Sequence, residues 1–150
     1  MKIFLILLLN IALFANQLVN IEAENFEADQ NTLKTTFTGN VKITKAGDKI
    51  FADKVIVVFS SDNKPLQYKA TTSVKFFLVS QNSTIVGSCN SLVYNPKSKN
   101  YTLSGNVKID DPTLGRKISA SKVTIDQVNG KTIITGQNKK PVKFIFDIKE

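Results

Sequence analysis

The chain of 150 residues contains no histidine, no tryptophan and a single cysteine. Without histidine, the commonest general base and the commonest transition-metal ligand are both missing. Without tryptophan, the usual platform for stacking a sugar ring is missing as well. Cys89 stands alone, so it supports neither a disulfide framework nor a metal site, and it reads as a small buried residue. Acidic residues number 12 against 20 lysines and arginines, and most sit beside turns or at alternating strand positions instead of converging. No enzyme, no cofactor and no metal is expected. No segment after residue 15 carries a sustained helical period with a cap, so an α-helical body is not expected either.

What is present begins with a leader. Lys2 precedes the apolar run Ile3 to Leu9, then Asn10, a second run Ile11 to Phe14, and Ala15. A positive start, about a dozen apolar residues and a small residue form a secretory signal, and the stretch is short for a membrane span. Leu13 occupies the position where a small residue is preferred before the cut. Residues 1–15 are therefore expected either to be removed near Asn16 or to stay as an inner-membrane anchor, and the body is exported in both cases. Residues 16–150 suit one domain. The net charge of +8, or +7 without Lys2, favours anionic partners, and export argues against nucleic acid.

One phrase returns almost unchanged along the body. Thr36-Phe37-Thr38-Gly39-Asn40-Val41-Lys42-Ile43 reappears 66 positions on as Thr102-Leu103-Ser104-Gly105-Asn106-Val107-Lys108-Ile109. A degenerate copy, Thr71-Thr72-Ser73-Val74-Lys75-Phe76, lies halfway between. A stretched fourth copy runs from Thr135-Gly136 to Pro141-Val142-Lys143-Phe144. A second phrase alternates with the first, best seen in Ile50-Phe51-Ala52-Asp53-Lys54-Val55-Ile56-Val57 and Ile118-Ser119-Ala120-Ser121-Lys122-Val123-Thr124-Ile125. Cys89 falls on an alanine position of this phrase.

Each phrase alternates apolar and polar residues, the period of a strand with one buried face. Turn-forming clusters separate the phrases: Ala46-Gly47-Asp48, Ser61 to Pro65, Asn95 to Ser98, Asp110-Asp111-Pro112 and Asn129-Gly130. A strand pair about every 34 residues stacks as an elongated β-jellyroll or a β-solenoid, with two open ends. The lysines of the Val-Lys-apolar phrases alternate outward. Lys42, Lys54, Lys75 and Lys108 are thus expected to serve solubility. The inward apolar residues either fill a core or line a groove for an apolar ligand, and alternation alone does not choose.

The spacing of Thr-Gly-Asn-Val-Lys-Ile at 38 to 43, a short turn, then Ile50, Ala52-Asp53-Lys54-Val55 and Val57 resembles the OstA-like domain of the LptA/OstA family. The resemblance covers nearly all of the chain after the leader. It implies an all-β fold, an elongated twisted antiparallel β-jellyroll with open ends, and a periplasmic role in lipopolysaccharide transport. It further implies a hydrophobic interior for the lipid A part. The implied partners are an inner-membrane LptC-type component, an outer-membrane LptD-type component and further copies joined head to tail.

Carried across by position, the lipid-binding candidates are Val19, Ile21, Phe37, Val41, Val55, Phe76, Tyr94 and Leu103. Val142, Phe144, Phe146 and Ile148 are the expected oligomer edge strand. Residues 16–35 carry net −3 and residues 116–150 net +5, a polarity that favours head-to-tail contact. Three alternatives stay open: an LptC-type anchored relative, a structural or surface β-repeat protein without lipid cargo, and a carbohydrate-active β-helix enzyme. The last would need a row of convergent carboxylates.

Overall fold

Alternation at this period builds strands, and the turn clusters set their ends. The computed structural model describes residues 18–79, 84–137 and 139–148, so the leader, residues 1–15, lies outside the described residues. Ten strands follow in order: β1 (Val19–Glu22), β2 (Asn25–Asp29), β3 (Lys34–Lys45), β4 (Asp48–Phe59) and β5 (Pro65–Val79). Then come β6 (Thr84–Asn95), β7 (Asn100–Asp111), β8 (Arg116–Asp126), β9 (Lys131–Thr135) and β10 (Lys143–Phe146). Among the described residues no helix is long and apolar enough to cross a membrane.

Every pairing is antiparallel, and the hydrogen-bonded order is β1-β3-β4-β5-β6-β7-β8-β10. β2 shares the edge of β3 with β1, and β9 shares the edge of β8 with β10. This meander is the jellyroll expectation and not a solenoid, whose coils would stack strands in parallel.

The repeated Gly-Asn has a mechanical meaning. Pairing slips between Thr38 and Val41, Phe51 and Lys54, Thr71 and Val74, Ser88 and Ser91, and Ser104 and Val107. At the breaks in β3 and β7 two consecutive residues take positive φ: Gly39 (83°) and Asn40 (45°), Gly105 (79°) and Asn106 (47°). Glycine adopts this conformation freely and asparagine tolerates it. Space is also short, since a Cβ on Gly39 would lie 2.6 Å from Glu24 Oε2 and one on Gly105 2.6 Å from Asn90 Nδ2. In the degenerate copy Thr72 (68°) and Ser73 (54°) take the same turn without glycine, a costly choice for a β-branched side chain. The bulges line up across the sheet and fold it into two layers.

Cross-strand partners then form two apolar rows. In the first layer the row is Phe26, Phe37, Val55, Ala70, Leu92, Leu103, Val123 and Ile134. In the second it is Ile21, Ile43, Ile50, Phe76, Gly87, Ile109, Ile118 and Phe144. One hydrophobic cluster joins both. Cys89 is buried in it, its thiol donates to the Ser91 carbonyl (3.3 Å), and burial pushes its pKa up to about 11.

Candidate functional site: the apolar interior and its two ends

The eight lipid-binding candidates come together in this interior. Val41, Val55, Phe76, Tyr94 and Leu103 are buried, and Val19, Ile21 and Phe37 pack against them half-buried. Their period-2 spacing puts them on inner faces, and the fold at the bulges turns those faces toward each other.

The interior is almost filled. Between the layers lies a void of about 20 Å³, lined by Val19, Ile43, Lys45, Ile50, Tyr68, Ala70, Leu92, Tyr94 and Tyr101. Such a space has room for about one water, which needs roughly 10–15 Å³, and not for an acyl chain. An acyl chain enters only if the layers part.

Polar groups tie the layers at this end of the interior, and the sequence reading missed them. Asp48 is buried at the start of β4 in the second layer and accepts hydrogen bonds from the Val79 N–H (2.8 Å) and the Tyr101 hydroxyl (2.9 Å). Tyr101 stands on β7 in the first layer, so this bond crosses between layers. Burial, then the Asp48 charge, hold the Tyr101 pKa far above that of a free tyrosine. Burial raises that of Tyr68 to about 12. Lys45, also buried, places Nζ 4.2 Å from the Tyr94 ring centroid, a cation–π contact. The Tyr94 and Tyr101 rings are 4.6 Å apart.

A third buried charge occupies the place that matches Lys45, 66 residues on. Asp111 is the repeat equivalent of Lys45, accepts from Arg116 Nη2 at 2.6 Å and from the Leu114 N–H at 3.2 Å, and is 1% exposed. The signal that could have found both was parity: Lys45 and Asp111 fall two positions after Ile43 and Ile109, on the inward face.

The two ends are uncovered. Phe26, at the start of the first row, is 69% exposed and stacks on Phe37 at 6.1 Å. Phe144 and Phe146, on the inner face of β10, are 41% and 56% exposed, with rings 5.6 Å apart. The Arg116 guanidinium lies 5.9 Å from the Phe144 ring. Of the expected edge strand, Phe144 and Phe146 are in β10, whereas Val142 and Ile148 flank it and are exposed. Among the described residues β10 pairs with β8 alone, leaving its other edge open.

No group of three or more histidine, cysteine, aspartate or glutamate side chains able to hold a metal occurs among the described residues. Fold and interior together define an open-ended, two-layer β-jellyroll with an apolar inside. A family model described as "LptA/(LptD N-terminal domain) LPS transport protein" matches residues 20–132. The chain belongs to that family of lipopolysaccharide transport proteins. Among solved structures, it is similar to LptH, the LptA-homologous periplasmic component of the lipopolysaccharide transport device of Pseudomonas aeruginosa. That likeness has a TM-score of 0.75 at 10% identity and covers 88% of this chain and 96% of LptH. At that identity it bears on the fold. A search of curated proteins finds no match.

Proposed function

We propose that the chain is a periplasmic bridge component that shelters the acyl chains of lipopolysaccharide between its two layers. Copies pass the lipid along, joined head to tail, between an inner-membrane LptC-type and an outer-membrane LptD-type component. The observation that carries this reading is the pair of apolar rows, which run from the first strands to the last and end uncovered at Phe26 and at Phe144 and Phe146. A row that ends on exposed aromatics and an open strand edge continues into a second copy. The charge polarity of the chain, net −3 over residues 16–35 against +5 over residues 116–150, favours unlike ends meeting.

The energetics suit a conduit. Exposure costs about 0.8 kcal/mol per CH₂, so an acyl chain of about a dozen carbons loses on the order of 10 kcal/mol in water. An interior lined with Val, Ile, Leu and Phe removes that barrier without any chemical step.

The test is photo-crosslinking during transport from inward positions Phe76 and Tyr94, with outward Lys69 as the control. Adducts with lipopolysaccharide at the first two and not at the third are expected. Adducts at none of them, with the protein folded, would refute the reading and leave a structural β-repeat protein.

A further inference from the structure

The lysine of the repeated Val-Lys-apolar phrase occurs at 42, 75, 108 and 143. Strand register turns this sequence repeat into a spatial one. On the outer face of the second layer, Lys42 stands opposite Phe51, Phe51 opposite Lys75, Lys75 opposite Ser88, and Ser88 opposite Lys108. Lys108 then stands opposite Ser119, and Ser119 opposite Lys143. From β3 to β10 one cross-strand row therefore holds a lysine on every second strand and an uncharged residue on each strand between, and it begins at Glu22 on β1, opposite Lys42.

With strands about 4.8 Å apart, the ammonium groups repeat roughly every 9.6 Å over about 29 Å. None of the four forms an ion pair among the described residues. Lys42 is half-buried against the face of Phe51, 6.0 Å from its centroid, and the other three are exposed. Ordinary solubility needs charge but not alignment.

Two surface concavities lie on this row. One, of about 380 Å³, is lined by Lys49, Phe51, Lys75, Phe77 and Val86 together with Phe76 and Gly87 of the second apolar row. The other, of about 570 Å³, is lined by Lys108 and Lys122 with Ser104, Asn106, Ser119 and Ser121. It opens where the stretched fourth copy leaves β9, and Gln137 and Lys140 exchange backbone hydrogen bonds of 2.8 and 2.9 Å across the loop beside it. No carboxylate lines either concavity.

We propose that this row is a binding site for an anionic saccharide, laid across the strands with its charged groups on the lysines. Hydroxyl and amide side chains around Lys108 suit sugar hydroxyls, which accept and donate hydrogen bonds. A bilayer surface fits less well. Adjacent strands rotate by roughly 20°, so six steps turn the sheet face through about 120° and a flat surface meets only part of the row. A linear polymer follows the twist. The four lysines stand on the sheet face opposite the one that carries the apolar rows.

The test is titration of the whole protein with deacylated lipopolysaccharide, the phosphorylated saccharide without acyl chains, beside neutral dextran and anionic phosphatidylglycerol vesicles. The wild type is expected to bind the deacylated saccharide and not dextran, with affinity falling as salt rises. Replacing Lys42, Lys75, Lys108 and Lys143 together by glutamine removes four contacts, each worth about a factor of two, so binding should weaken roughly sixteenfold. A control triple variant, Lys34, Lys54 and Lys69 to glutamine, removes exposed lysines of the first layer that line neither concavity and should weaken it by less than half as much. Equal losses in the two variants, no loss in the quadruple variant, or binding to vesicles but not to saccharide would each overturn the proposal. Acyl crosslinking at Tyr94, which lines neither concavity, reads the interior separately, so failure of one proposal leaves the other standing.

Discussion

Replacing Tyr101 by phenylalanine removes one oxygen and tests how the layers are held. The ring stays against Tyr94 at 4.6 Å, but Asp48 loses the 2.9 Å bond that crosses between layers and keeps only the Val79 N–H. Asp48 is 5% exposed, so water replaces the lost donor poorly. Hydrogen bonds to charged groups contribute about 1.5–3 kcal/mol, and a buried acceptor left short of partners costs as much again when nothing relaxes. A loss of about 2 kcal/mol is expected. With a urea slope of about 2 kcal/mol/M, the midpoint should fall by about 1 M with the slope unchanged. Asp48→Asn and the double variant complete a cycle in which the two losses are not additive, as they share one bond. The bond also resists separation of the layers, so Tyr101→Phe should take up an apolar fluorescent probe faster than the wild type. A midpoint within about 0.2 M of the wild type, or additive losses, would show that the bond does not tie the layers.

Other outcomes follow from the same structure. Thr72 holds a φ of 68° that its branched side chain disfavours, so Thr72→Gly should stabilise the fold by about 1 kcal/mol, read as a higher urea midpoint. Tyr68 and Tyr101 both have folded-state pKa values raised above the ordinary tyrosine value of 10.0, Tyr68 to about 12. A raised tyrosine pKa favours the folded state fully below pH 10 and loses that contribution as pH climbs above it, so stability should drop from about pH 10 to 12 while neutral pH leaves it intact. Urea midpoints against pH, with tyrosinate absorbance in parallel, check this. Deleting the segment from Val142 to Ile148 should abolish concentration-dependent growth in light scattering, and growth that persists would rule out edge pairing by β10.

Much of the fold was legible because strand structure is local. Alternation marked the strands, Gly39-Asn40 and Gly105-Asn106 marked the bends, and the turn clusters marked the hairpins. The inward parity of Val41, Val55, Phe76, Tyr94 and Leu103 followed from the same alternation. What misled was residue type: Asp48 and Asp111 stand in turn-forming clusters and Lys45 is charged, although the parity of all three is inward. Their burial rests on partners far along the chain, such as Tyr101 for Asp48, 53 positions away.

By itself, then, the sequence determined the strands, the repeat, the bend points and the unlike charges of the two ends, since each depends on neighbours within a few residues. Tertiary structure alone decided three other matters. It packed the two apolar rows together around a void of about 20 Å³ beside Tyr94 and Tyr101, left Phe26, Phe144 and Phe146 uncovered at opposite ends, and brought Lys42, Lys75, Lys108 and Lys143 into one row. The physical reason is register: a lysine every 33 to 35 residues becomes a line of charge only when antiparallel pairing sets each phrase level with the next.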